Sequence, residues 1–174
     1  MPRLARLSPS EAEAALPDLA RLMHAAVEAG ASVNFVLPFA LSEAAAWWTD
    51  AALPGLRSGK LILFAARDDT GLVGCVMLAP APQPNQPHRA DVTKLLVHPR
   101  ARRQGLATRL MAALEDEARA RGLTLLTLDT WTGDGAETLY RGLGFIEAGR
   151  IPQFFQHPVD RSLQSTTLFY KVLA

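Results

Sequence analysis

One segment, residues 93–108, limits the possible folds of this chain more than any other. It begins with the apolar run Leu95-Leu96-Val97, passes through a basic turn that contains Gly105, and continues as a run with apolar residues at helical spacing. The first amides of a helix have no acceptors within the helix, and the helix dipole adds partial positive charge at that end. A strand that passes through a glycine turn into a helix therefore predicts an α/β fold with a phosphate site.

The predicted phosphate site combines small residues with basic ones. Gly105 and Ala107 allow backbone amides to approach a pyrophosphate closely, and Thr108 adds a hydroxyl group. Arg102 and Arg103 add positive charge. The chain has no G-x-x-x-x-G-K-[ST] motif and no G-x-G-x-x-G after a strand, which excludes the common nucleotide-binding loops. Taken alone, the segment is equally consistent with a basic helix start that binds nothing.

Periodicity and turn residues predict the other elements of the chain. We expect an α/β fold (mixed α+β) with a central twisted mixed sheet, helices on both faces and the order β-α-α-β-β-β-α-β-α-β-β, in a single domain of residues 1–174. The predicted helices cover residues 8–30, 42–54, 105–121 and 134–142. The predicted strands after the first helices cover residues 60–67, 72–79, 89–97, 123–130, 144–150 and 164–172.

Composition and charge exclude several classes of partner. The formal net charge is +1, so no global field draws the chain to nucleic acid or to a membrane surface. The single cysteine, Cys75, cannot form an intramolecular disulfide, which suits a reducing compartment. No apolar stretch is long enough to span a bilayer, and the first residues lack the apolar core of a signal peptide. We therefore expect a cytoplasmic protein. The histidines lack metal-site spacing, so we expect no metal.

Two sequence blocks resemble a known family. The pattern Leu-Val-x-Pro-x-x-Arg-x-x-Gly-x-Ala over residues 96–107 resembles the acetyl-CoA motif of the GNAT N-acetyltransferase superfamily. Residues 136–145 resemble its second block, and residues 126–130 and 149–171 are similar to the tabtoxin-resistance acetyltransferase branch. The resemblance covers nearly the whole chain. It implies the GNAT acyl-CoA N-acyltransferase fold and an N-acetyltransferase that uses acetyl-CoA as co-substrate.

The resemblance also implies where acetyl-CoA lies. The pantetheine would insert between two splayed parallel strands and meet backbone groups of Leu95, Leu96 and Val97. The pyrophosphate would lie on the turn and the first helical residues. That part of the site comprises Arg102, Arg103, Gln104, Gly105, Leu106, Ala107 and Thr108.

Acetyl transfer to an amine needs a base, because an alkyl amine is mostly protonated at pH 7. Asp91 is one candidate: by strand alternation it shares a face with Leu95, and at roughly 13 Å it would act through water. Asp129 is the other, since it ends an apolar strand where a buried carboxylate must be paired or functional. Tyr140 is the candidate acid, because the tyrosine of the family motif lies near the CoA sulfur.

The acceptor is expected to be a primary amine of a small molecule, such as an antibiotic or a toxin. Its pocket is predicted from the apolar loop 31–39, Trp47 and the segment 153–157, with contacts from Asn34, Phe35, Trp47, Gln153 and Phe154. Two alternatives are a non-catalytic acyl-CoA-binding or sensing module and a protein N-acetyltransferase. The exposed C-terminal strands predict a homodimer.

Overall fold

The central element of the part of the chain that the structure describes is one mixed sheet of seven strands. The computed structural model describes residues 1–173, with strands β1 (Arg3–Leu7), β2 (Ile62–Asp68), β3 (Gly71–Pro80), β4 (Arg89–Val97), β5 (Leu125–Trp131), β6 (Ile146–Gln156) and β7 (Leu163–Val172). Their spatial order is β1-β2-β3-β4-β5-β7-β6. Among these described strands β4 and β5 are the one parallel pair, and every other pair of neighbours is antiparallel. The predicted mixed sheet is confirmed.

Within residues 1–173, six α-helices accompany the sheet: α1 (Pro9–Ala14), α2 (Leu16–Glu28), α3 (Leu41–Trp47), α4 (Leu53–Arg57), α5 (Leu106–Ala120) and α6 (Gly135–Gly142). A π-helical turn, Trp48–Ala52, joins α3 to α4. The prediction of one helix over residues 8–30 is wrong, because Pro17 in the first turn of α2 has no amide hydrogen to continue the ladder. None of the helices within residues 1–173 is long and apolar enough to cross a membrane.

The helices lie on both faces of the sheet, as predicted. On one face α5 and α6 pack against the strands, and on the other face α1 to α4 do so. Gly74 on β3 allows α5 to lie close to the sheet. A Cβ atom there would stand 3.0 Å from Leu110 Cδ1 and 3.1 Å from Leu106 Cδ2, so a side chain at this position would require these two leucines to shift.

The parallel strands β4 and β5 separate partway along their length. They pair only from Arg89 with Leu125 to Asp91 with Thr127, although both strands continue beyond that point. On its other side β4 carries a bulge, where its register with β3 shifts and Lys94 takes a φ of +53°. The result is a V-shaped opening between the two strands, at the end of the sheet where α5 begins.

The C-terminal hairpin is longer than predicted. The strand predicted over residues 144–150 begins only at Ile146, because Gly144 has a φ of +83° and Phe145 turns into the core. It then continues past Pro152 to Gln156. A proline is tolerated there because β6 is an edge strand, so the missing amide hydrogen breaks no second ladder.

Candidate active site

The N-terminus of α5 presents a run of free backbone amides. Gly105 is the N-cap, with a φ of +72° that glycine adopts without strain. Within residues 1–173, the amides of residues 103–108 donate to no backbone or side-chain acceptor, and the first helical bond runs from the Arg109 amide to the Gly105 carbonyl. These donors, together with the helix dipole, form an anion-binding surface.

A groove of about 560 Å³ runs from this surface along the opening between β4 and β5. Nine of the ten predicted cofactor residues line it: Leu95, Leu96, Val97, Arg102, Arg103, Gly105, Leu106, Ala107 and Thr108. The tenth, Gln104, lies outside the groove. Its side-chain amide donates to the Arg100 carbonyl at 3.3 Å, and it lines a neighbouring surface cavity instead.

A second, smaller cavity of about 190 Å³ joins the groove. The two share a wall at the mouth of the V, and Tyr140 is part of that wall. We call the smaller space the acceptor cavity; it is bounded by the loop after α2, by β4, by the end of β5 and by β6. Its lining residues are Ala31, Ser32, Val33, Asn34, Val92, Thr93, Lys94, Leu95, Asp129, Thr130, Trp131, Asp134, Ala136, Tyr140, Phe154, Phe155 and Thr166.

Asp129 lies in the wall of the acceptor cavity. Its Oδ2 accepts a hydrogen bond of 2.9 Å from the Thr166 hydroxyl, which also donates to the Thr130 carbonyl. The expectation that Asp129 is buried is wrong: its side chain is exposed, because β5 has left β4 at this point and the strand faces the open cleft. The carboxylate is thus held on one side by Thr166 and is accessible on the other.

Asp91 lies elsewhere, at the last paired position of β4 and β5. Its carboxylate forms an ion pair of 2.6 Å with Arg89 Nη1 and accepts a hydrogen bond from the Thr127 hydroxyl. It lines neither the groove nor the acceptor cavity. The bulge at Lys94 also interrupts the strict alternation from which a common face for Asp91 and Leu95 was predicted.

Tyr140 on α6 lies between the groove and the acceptor cavity. Its ring packs against Phe145 and Phe169, with centroid distances of 5.8 and 6.1 Å. Burial raises the pKa of its hydroxyl, and the nearby charges of Asp129 and Asp134 raise it further. The phenol therefore stays protonated at neutral pH and is available as a hydrogen-bond donor.

The five predicted acceptor residues divide into three groups. Asn34 and Phe154 line the acceptor cavity. Phe35 and Trp47 lie behind it, with ring centroids 6.2 Å apart. Gln153, with a φ of +54°, is exposed and lines neither space, since the bulged strand places the next two residues at the cavity.

Lys94 was not predicted as a site residue, although it lines the acceptor cavity and is only 8% exposed. A signal was available in the sequence. Lys94 has the same strand parity as Ala90, Val92 and Leu96, all of which are buried, so alternation indicated a buried side chain here, although the bulge turns Lys94 and Leu96 to the face opposite Ala90 and Val92. A single charge on such a face is a candidate for function.

A family model described as the acetyltransferase (GNAT) family matches residues 21–145, which include the start of α5 and Tyr140. The chain belongs to the GNAT acetyltransferase family. An N-acetyltransferase from Azospirillum brasilense, encoded in the hisH–hisA intergenic region and uncharacterized, is 37% identical over 116 residues, covering 66% of this chain and 67% of the relative. The chain is thus an N-acetyltransferase, as the sequence blocks predicted.

Solved structures share the GNAT fold over the whole chain. A ribosomal-protein-alanine N-acetyltransferase from Brucella melitensis superposes with a TM-score of 0.77 and 25% identity, covering 98% of this chain and 99% of that one. A putative acetyltransferase from Salmonella typhimurium, solved with its cofactor acetyl-CoA, has a TM-score of 0.74 and 18% identity, covering 100% and 95%. Within residues 1–173 no group of three or more His, Cys, Asp or Glu side chains is arranged to hold a metal ion.

Proposed function

We propose that this GNAT acetyltransferase moves the acetyl group of acetyl-CoA to the primary amine of a small molecule by direct attack. The observation that carries the proposal is the junction at Tyr140, where the long groove meets the acceptor cavity. At about 190 Å³ the acceptor cavity is smaller than the roughly 300–1,000 Å³ of drug-sized sites, which favours a compact acceptor.

The groove has the donors that acetyl-CoA requires. Free amides at residues 103–108 and the guanidinium groups of Arg102 and Arg103 suit the pyrophosphate. The unpaired edge of β4 beyond Asp91 offers backbone groups to the amides of the pantetheine arm. The Salmonella neighbour, which was solved with acetyl-CoA, supports this assignment.

Gly105→Ala is expected to raise the KM for acetyl-CoA about tenfold, since a methyl group would stand over the free amides that are proposed to hold the pyrophosphate. Gly122→Ala is the matched control. Gly122 ends the same helix with the same φ of +72°, and an added methyl group would meet no heavy atom within 4 Å at either position, so both variants carry the same backbone strain. Equal increases in KM from both variants, measured by steady-state kinetics, would contradict the assignment.

The proposed reaction is a direct transfer. The amine nitrogen attacks the thioester carbonyl carbon, the carbon–sulfur bond breaks, and the amine proton passes through water to Asp129. The CoA thiolate leaves with a hydrogen bond from the Tyr140 hydroxyl and becomes the thiol by taking up a proton from water, while protonated Asp129 returns its proton to solvent. Asp129 is favoured over Asp91 because its free carboxylate side faces the acceptor cavity, whereas Asp91 is held by Arg89 outside it.

Asp129→Asn is expected to lower kcat/KM about 30-fold at pH 7, with a smaller defect as the pH rises. A primary amine with a pKa of about 10.4 is neutral in only about one molecule in a thousand near pH 7.4, and alkaline buffer supplies the neutral form without a base. The expected loss is smaller than the loss of about 10²-fold or more that usually follows removal of a general base, because bulk water can accept the proton at this exposed site. A pH–rate profile from pH 6.5 to 9.5 measures it. The control is Asp91→Asn, and a larger loss in that variant would transfer the role to Asp91.

A second candidate acceptor is a protein N-terminus. The Brucella neighbour is named for a ribosomal-protein alanine, and Phe154 at the cavity is 51% exposed, available to a larger substrate. A thiol-release assay with acetyl-CoA, run over a library of small amines and short peptides, separates the two. Turnover of small amines supports the proposal, and turnover restricted to peptides overturns it.

Three expectations from the sequence stay predictions. Residues 1–174 are proposed to form one domain, a view supported by the single sheet that includes both the first and the last strand. A homodimer is proposed from the C-terminal hairpin, whose exposed apolar side chains include Ile146, Phe154 and Leu163. The cytoplasm is the proposed location.

A further inference from the structure

The lysine at the β4 bulge, Lys94, combines an unfavourable backbone conformation with a buried side chain. Lys94 has a φ of +53°, a left-handed conformation that costs energy for a residue with a side chain. The same residue is 8% exposed, although lysine is among the residues least often buried. A strained backbone and a buried charge at one residue, in the wall of a cavity, indicate a functional role.

The Lys94 ammonium has no anionic partner. Its Nζ donates to the Val33 carbonyl at 3.1 Å and lies 4.8 and 5.7 Å from the ring centroids of Trp47 and Phe35. No carboxylate within residues 1–173 lies within ion-pairing distance of it. An ammonium group has three donors, and the two aromatic rings attract the charge without neutralising it. Burial lowers the Lys94 pKa, and the negative charge of Asp129 opposes that effect.

Among the described residues, the lining of the acceptor cavity therefore includes one cationic side chain, that of Lys94, and two acidic ones, those of Asp129 and Asp134, of which Asp134 accepts a hydrogen bond from the Gly135 amide at the start of α6. Lys94 lies on the β4 wall and Asp129 on the β5 wall, where Tyr140 and the groove begin. Asn34 and Thr93, two polar residues, also line the cavity. A small molecule with a cationic amine and an anionic group matches this arrangement.

We infer that the acceptor carries a carboxylate bound by the Lys94 ammonium, an inference that rests on the proposed function. The substrates are then amino acids or similar small aminocarboxylic acids. The carboxylate then supplies the missing anionic partner of Lys94. The amine of the same molecule lies toward Asp129 and Tyr140, next to the thioester. A protein N-terminus has a neutral peptide bond where this carboxylate lies, and it lacks the complementary charge.

The first test uses L-amino acids paired with their carboxamides, for example those of alanine, serine, leucine and methionine, in the thiol-release assay. The wild type should acetylate the acids with kcat/KM at least tenfold above that for the amides. The amides have the more acidic ammonium group and thus a larger fraction of neutral amine at pH 7.5. The concentration of neutral amine alone would therefore make the amides the better substrates. Equal turnover of acids and amides, or a preference for amides, overturns the inference.

Variants at Lys94 separate charge recognition from a structural role. Lys94→Met should lower kcat/KM for the acids about 30-fold, mainly through KM, and change that for the amides less than about threefold. Lys94→Arg keeps the charge and should therefore retain part of the preference for acids over amides. If Lys94 acted as a base instead, the arginine variant would lose activity on both, because arginine stays protonated. Equal losses on acids and amides in Lys94→Met would make the residue structural. If this variant does not fold, the wild-type comparison and Lys94→Arg decide.

A binding measurement keeps this inference distinct from the proposed function. The probes are N-acetyl-L-leucine and its amide, titrated in the presence of CoA and followed by tryptophan fluorescence, since Trp47 lies against Lys94. The acid should bind at least about tenfold more tightly, and Lys94→Met should remove the difference. If this holds while no amine is acetylated, the proposed function fails and the carboxylate site stands. If amines are acetylated but acid and amide bind equally, the inference fails alone.

Discussion

Tyr140→Phe is expected to lower kcat about 100-fold while the KM for acetyl-CoA changes less than about threefold. Tyr140 lines both the groove and the acceptor cavity, and the leaving sulfur is proposed to lie where the two meet. General acids contribute about 10²- to 10⁴-fold. The low end applies because the raised pKa of Tyr140 makes complete proton transfer to a thiolate unfavourable, which leaves a hydrogen bond in the transition state as the main effect.

The experiment has a matched control, because the chain contains only one other tyrosine, Tyr170. Tyr170 on β7 lines neither the groove nor the acceptor cavity, so Tyr170→Phe should leave kcat within about twofold. Single-turnover kinetics with saturating acetyl-CoA measure the chemical step directly. The phenylalanine ring retains the packing on Phe145 and Phe169, so the melting temperature tests for structural damage. If Tyr140→Phe leaves the rate of a chemistry-limited assay unchanged, Tyr140 does not assist departure of the sulfur.

Glu115→Ala is expected to destabilise the fold by about 3–5 kcal/mol, which corresponds to a fall in Tm of roughly 10 °C. The Lys171 ammonium on β7 lies 2.8 Å from both carboxylate oxygens of Glu115 on α5 and 2.6 Å from the Leu143 carbonyl after α6. The Glu115 side chain is 8% exposed and that of Lys171 is 19% exposed. Removal of the carboxylate leaves a largely buried ammonium without a counter-charge.

Thermal or urea unfolding checks this prediction, and two further variants test whether the unpaired buried charge is the cause. Asp116→Ala, next to Glu115 on the same helix but 82% exposed, should change the free energy of unfolding by less than about 0.5 kcal/mol. The double variant Glu115→Leu with Lys171→Met should be more stable than Glu115→Ala, because it removes both buried charges together. A double variant that is less stable than the single one would contradict the explanation.

The sequence predicted those parts of the fold and the site that depend on neighbouring residues. The capping box at Ser8 and Glu11 is formed, with a 2.8 Å bond from the Ser8 amide to the Glu11 carboxylate. The turn at Gly105 lies at the start of α5 with its free amides. Both features follow from the residues within one helical turn, which is why pattern and spacing were sufficient.

Features that depend on contacts between distant segments were predicted less well. Asp91 and Asp129 were equivalent candidates in the sequence, since each is an acid in a strand. They differ in the structure because β4 and β5 separate after Asp91, which leaves one carboxylate against Arg89 and the other at the cleft. The length of the C-terminal hairpin was underestimated for a similar reason, since it depends on pairing with β7.

The start of α5 with its free amides was thus determined by the sequence alone, because helix ends expose amides wherever a helix begins. The tertiary structure decided which other residues lie beside this helix start. The bulge at Lys94 and the separation of β4 from β5 bring the groove, Tyr140, Asp129 and a buried lysine to one place. Those residues come from four parts of the chain, and only the packing of both helical layers against the sheet sets their distances.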